Sequence, residues 1–114
     1  MELEELFIPV PFFENFAVSN YGTVIHLGTE TELHQWYSRV HRKMKVRFHV
    51  NAAYIDLFVE DLVAEAFFAN YHPGIKIYHK NGKIDDCTVL NLTFDPKYAE
   101  SSVESVDEYG EIHT

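Results

Sequence analysis

Residues 75–96 read IKIYHKNGKIDDCTVLNLTFDP, and this stretch decides the fold. Ile75, Ile77 and His79 alternate with Lys76, Tyr78 and Lys80, the period of a strand. The strand runs into the turn pair Asn81-Gly82. A polar loop through Asp85-Asp86-Cys87 follows, and then a short strand from Asn91 to Phe94. Asp95-Pro96 marks a helix start, an N-cap followed by proline at the first helical position. That helix is expected to fade near Val103, so the chain closes on a strand, loop, strand, helix unit.

Outward from this unit, residues 60–70 (EDLVAEAFFAN) place Leu62, Val63, Ala66 and Phe67 on one side, with acids in the first turn where the helix dipole favours them. A helix of about three turns is predicted, ended by Asn70 and the Pro73-Gly74 pair. Val46, Phe48 and Val50 alternate with Arg47 and His49, the pattern of a half-buried strand, and Asn51-Ala52-Ala53 connects it as a hairpin to a strand over Tyr54 to Val59. Phe12 to Leu27 reads as strand, tight turn, strand around Ser19-Asn20-Tyr21-Gly22. Gly28 to Gln35 shows no period and is expected to be a loop. The expected class is α+β, with short β-hairpin units before the closing unit. One compact domain over 1–103 and an acidic, mobile tail over 104–114 are expected.

The chain has 114 residues, 46% hydrophobic and 15% aromatic, enough for one domain with a real core. No apolar run approaches the roughly 20 residues of a membrane span. The acidic start Met-Glu-Leu-Glu-Glu lacks the pattern of a secretory signal, and the single Cys87 cannot form an internal disulfide. A cytoplasmic setting is expected. Charge is uneven: 18 acids and 9 bases give -9 overall, yet Arg39, Arg42, Lys43, Lys45 and Arg47 form one basic stretch with no acid in it. Nucleic-acid contact would have to run through that stretch or the scattered lysines, because the rest repels phosphate.

Seven histidines raise the question of metal or acid–base chemistry. His34, His41 and His49 lack the paired spacing of zinc ligands, and His26, His72 and His113 fall in loop-like or tail context. His79 differs, because it closes a strand before a polar loop and is followed twelve residues later by Asn91. Spacing alone leaves two readings open. In one, the imidazole is a general base oriented by the asparagine, as in a small metal-dependent nuclease; in the other, His79 is a partly exposed strand residue and Asn91 caps a turn.

Leu62-Val63-Ala64-Glu65-Ala66-Phe67, Tyr78-His79-Lys80-Asn81-Gly82 and Asp85-Asp86-Cys87-Thr88-Val89-Leu90-Asn91-Leu92 resemble, in order and spacing, the phage-type HNH homing endonucleases. Upstream, residues 13–24 (FENFAVSNYGTV) are similar to the short modular DNA-binding motif that often precedes that nuclease domain. The resemblance implies a ββα-metal (His-Me finger) core over about 45–103 and a module over about 4–28. It implies His79 as general base and Asn91 as the residue that orients it, a magnesium or manganese ion if the centre works, and a phage-encoded origin.

The same comparison shows departures at functional positions. Tyr78 stands where an aspartate or asparagine normally binds the ion, and Glu100 where a second metal-binding asparagine is usual. Glu60-Asp61 replaces a His-Arg pair, Thr23 and Ile25 replace arginines, and Cys87 replaces an asparagine. A phenol at the metal position and acids in place of bases act against binding and cleaving a polyanion. The expected function is therefore binding without cleavage, with no cofactor. The partner expected is a host protein with a basic surface, engaged through the acidic N-terminal half, Glu60-Asp61 or the tail. Only weak non-specific nucleic-acid binding through Arg39 to Arg47 is expected, and no membrane contact. Two alternatives stay open: a working metal-dependent nicking enzyme with Glu100 as an unusual ligand, and an acidic DNA mimic that blocks a nucleic-acid enzyme.

Overall fold

The computed structural model describes residues 4–99. Its elements are β1 (Phe7–Val10), β2 (Phe13–Ser19), β3 (Val24–His26), β4 (Thr31–Glu32), β5 (Gln35–Ser38), β6 (Lys43–Val50), β7 (Ala53–Phe58), α1 (Val59–Phe67), β8 (Tyr78–His79) and β9 (Leu92–Thr93), with a 3₁₀ turn at Pro96–Tyr98. All pairing is antiparallel, in three sheets ordered β1-β2-β3-β4, β5-β6-β7 and β8-β9. The class is α+β, as the sequence predicts. No helix among the described residues is long and apolar enough to cross a membrane.

The period-two pattern of β6 works as read. Val46 and Phe48 are fully buried while Arg47 and His49 are exposed. Asn51 and Ala52 turn the chain with φ of 51° and 65°, the left-handed pair that joins strands of natural twist. Phe48 stacks on Phe16 of β2 with ring centroids 3.9 Å apart, and Phe13 meets it edge-on at 5.5 Å. Through these rings the first sheet, β6 and the helix residues Val59, Leu62 and Val63 share one core. Burial of such side chains is the main stabilising term, roughly 1.5–3 kcal/mol each.

Ser19-Asn20-Tyr21-Gly22 is a hub as well as a turn. The Ser19 hydroxyl accepts from the Tyr21 and Thr23 amides and donates to Glu5, while the Asn20 side chain bonds both ways with the Glu4–Leu6 backbone. The Val89 amide donates to the Asn20 carbonyl at 2.8 Å, and a Cβ at Gly22 (φ +86°) would lie 3.1 Å from the Cys87 carbonyl. The N-terminal sheet is thereby clamped to the 80–91 loop.

Several expectations are corrected. Gly28 to Gln35 is not all loop: β4 lies in it and Gln35 opens β5, both held by pairing to neighbouring strands. β1, unexpected from the sequence, is an edge strand carrying Pro9, tied to β2 with a register shift between Pro9 and Val10. The helix ends at Phe67 rather than Asn70, since Phe68 turns to extended backbone and packs edge-on against Phe94. The strand expected from Ile75 shrinks to Tyr78–His79, because its partner offers only two residues. Asp95 caps as predicted, accepting from the Lys97 amide, but it opens a 3₁₀ turn. The expected continuation to Val103, Glu100 and the tail over 104–114 lie outside the described residues.

Candidate functional site

The centre forms where the start of α1 meets β8 and the loop to β9. His79 pairs with Leu92 in register, which turns its imidazole inward, and it is 2% exposed. Glu60, in the first turn of α1, is 3% exposed. Its Oε1 lies 3.6 Å from His79 Nε2 and its Oε2 lies 3.4 Å from the Lys43 ammonium. Burial pushes the Glu60 carboxyl up to about 7, with Lys43 opposing and Asp61 adding to the rise. Burial likewise pulls the His79 imidazole down to about 4, against the pull of Asp86 and Asp85. Desolvation is the largest cause of both shifts, and it favours the neutral form of each group.

Asn91 holds the loop. Its Oδ1 accepts from the Asn81 amide at 2.9 Å and its Nδ2 donates to the Asp86 carbonyl at 2.8 Å, while the Lys80 amide donates to its own carbonyl. The amide expected to orient the imidazole instead grips two backbone groups at the loop mouth. The register is the reason, since it sets Leu92 opposite His79 and moves Asn91 one position away.

The donor set does not fit a divalent ion among the described residues. Tyr78 offers a phenol. Asp86 is committed elsewhere: one oxygen takes the Thr88 amide and hydroxyl, and the other takes Asn81 Nδ2 at 2.8 Å. Burial works to raise its pKa, but the Thr88 and Asn81 hydrogen bonds prevail and hold it below the usual range. Asp85 is exposed, and no group of three His, Cys, Asp or Glu side chains comes together among the described residues. Cys87 is buried, and burial pushes its thiol well above the ordinary value, which leaves it unsuited to ligation.

The other candidates separate. Glu60 is not an exposed docking acid: it lies at i-3 and i-4 from the buried Val63 and Ala64, a helical spacing that already marks the inner face. Asp61 is half-buried and accepts from the Tyr71 hydroxyl at 3.2 Å. The basic stretch divides by geometry. Arg39 and Arg42 sit in the β5–β6 turn, whereas Lys43, Lys45 and Arg47 share the outward face of β6. Arg47 makes a two-pronged bond to Asp56, at 2.7 and 3.0 Å. Its guanidinium lies 5.4 Å from the Trp36 ring and 5.6 Å from the Tyr54 ring. No pattern in the sequence marks Trp36 and Tyr54, which only the strand register brings beside the cations.

No family model matches this chain, and no curated protein matches it. A solved structure does: that described as "DNA binding and cleavage by the HNH homing endonuclease I-HmuI", with a TM-score of 0.71 and 21% sequence identity. The match covers 96% of this chain and 62% of that one, so this chain spans under two thirds of its length. The fold is HNH-endonuclease-like.

Proposed function

We propose that this chain is an HNH-nuclease-like binding domain with an impaired catalytic centre, which engages a nucleic-acid or protein target without cutting it. The observation that carries the reading is the contact of buried His79 with buried Glu60. A general base must reach the proton it takes, within about 3 Å or through one water. Here the imidazole is closed off from solvent, and its lowered pKa makes it a weak base at neutral pH. Tyr78 and the committed Asp86 supply no ligand to offset that. The solved neighbour binds and cleaves DNA by its description, and this chain keeps that frame while its centre argues for binding alone.

The test is a nicking assay on supercoiled plasmid with magnesium and with manganese, run beside His79→Ala. Wild type should cut no faster than the variant. Nicking that disappears in His79→Ala would restore the working-nickase reading, with Glu100 as a ligand. Exposed Glu4, Glu14, Glu30 and Glu32 favour a second reading, a protein partner with a basic surface. Since Glu60 is inside the fold, the fitting variant is Glu30→Lys with Glu32→Lys, which should weaken capture of such a partner.

A further inference from the structure

The outward face of β5-β6-β7 carries an open cavity of about 560 Å³, lined in part by Trp36, Lys45, Arg47, His49, Tyr54 and Asp56. Register builds it in rows. Trp36 lies beside Lys45, Arg47 beside Asp56, and His49 beside Tyr54, all on the side opposite buried Val46 and Phe48. The His49 and Tyr54 rings stack with centroids 4.6 Å apart, and Tyr54 is 67% exposed. Asp56 fixes the Arg47 guanidinium between Trp36 and Tyr54, so three flat groups stand in set orientations before any ligand arrives.

We propose that this face binds unpaired nucleic acid, with bases stacked on Tyr54, Arg47 and Trp36 and phosphates tracked by Lys45 and Lys43. Flat aromatic and guanidinium surfaces beside a line of cations are what a single strand requires, because every base has a π-face and every link a charge. Lys43, Lys45 and Arg47 recur at every second residue, about 7 Å per step along the strand, and Arg39 and Arg42 continue the positive charge into the adjoining turn. Elsewhere the described chain is mostly acidic, so charge selects this face over any other for a polyanion. A duplex hides its base faces and could use only the cations. The row ends at Lys43, which touches Glu60, so a bound strand would run from the aromatic cavity toward the His79 centre. The face stands whether or not that centre cleaves.

Trp36 is the only tryptophan in the chain, so its fluorescence reports on this cavity. Titration with a twelve-residue oligothymidine at about 0.15 M salt should give saturable quenching, at least tenfold tighter than a duplex of equal length. Tyr54→Ala should weaken binding by roughly tenfold or more, the effect of losing one stacked base, while Tyr54→Phe retains it. Phe12→Ser, which removes an exposed ring outside this face, should change nothing; an equal loss there would mark general stickiness and overturn the proposal. It also fails if the oligomer does not quench, if duplex binds as well, if thymidine monophosphate saturates as tightly as the oligomer, or if Tyr54→Ala binds like wild type. Matching thermal midpoints for the Tyr54 variants tie any loss to the face rather than to unfolding.

Discussion

Glu60 Oε1 lies 3.6 Å from His79 Nε2, and both side chains are almost wholly buried. Withdrawal from water penalises the charged form of the carboxyl and of the imidazole alike. Burial favours the neutral form of each, which for the acid means holding a proton and for the base means losing one. The Lys43 ammonium, half in solvent, steadies whatever charge remains on Glu60. On the proposed reading this arrangement is a sealed structural contact and not a base that reaches a water.

Stability should therefore depend on pH in a way that Glu60→Gln exposes. Glu60 rises from 4.5 to about 7, so its contribution is present below 4.5 and is lost as pH climbs through 7. His79 falls from 6.5 to about 4, so its contribution is present above 6.5 and is lost as pH drops through 4. Between 4.5 and 6.5 the two slopes have opposite sign and largely cancel. Removing the acid leaves the histidine slope alone. Relative to wild type, Glu60→Gln should gain on the order of 2–3 kcal/mol between pH 4.5 and 7. Urea midpoints at four pH values check this, and a difference that stays flat would show that Glu60 is not desolvated.

Asn91→Ala should unfold at a much lower temperature. The substitution removes the partners of the Asn81 amide and the Asp86 carbonyl; Asn81 is exposed and Asp86 half-buried, so water replaces part of the loss and each bond counts for about 0.5–1.5 kcal/mol. A fall in Tm of about 5 °C or more is expected for a domain of this size. Asn91→Asp keeps the acceptor and loses the donor, so it should fall less. Calorimetry of the two variants decides the matter; an Asn91→Ala midpoint within a degree or two of wild type would return Asn91 to a role toward His79.

How much of the fold is legible in the sequence depends on how local each cause is. Val46 and Phe48 show their burial by alternation alone, and Asn51 marks its hairpin because few residues accept positive φ. β1 carries no alternating pattern and contains Pro9, so only its pairing with β2 makes it a strand. The two-residue strands β4, β8 and β9 likewise exist through their partners. The charge of Glu60 points to the surface, while its spacing to Val63 and Ala64 marks the inner face that the fold gives it. Trp36 and Tyr54 lie eighteen residues apart, and nothing short of the β5-β6-β7 register puts them on one face.

Tyr78→Asp should create a divalent-ion response that wild type lacks. If the frame is intact and short of a carboxylate, adding one beside His79 supplies the missing charge. Manganese at 1 mM should then raise the Tm of Tyr78→Asp, since a ligand that binds only the folded state stabilises it by mass action. Wild type should not respond. Equal stabilisation of both chains would mean that the residues already present hold the ion.

The β6–β7 hairpin carries a strain that a single change can relieve. Asn51 and Ala52 hold φ of 51° and 65°. Asparagine tolerates that region, but alanine has a Cβ that crowds the following carbonyl, at about 1–2 kcal/mol. Two-residue turns of this hand prefer Asn-Gly, and glycine at 52 would lift the clash at some cost in unfolded-chain entropy, about 0.5–1 kcal/mol. The balance favours Ala52→Gly by about 0.5–1 kcal/mol, a rise in Tm of roughly 2–8 °C. Ala52 is exposed, so no packing is lost in the exchange. Ala52→Val, β-branched at the same φ, should move the midpoint the other way. Thermal denaturation of the pair tests the turn directly, and a lower midpoint for Ala52→Gly would show that the chain does not hold this turn in solution.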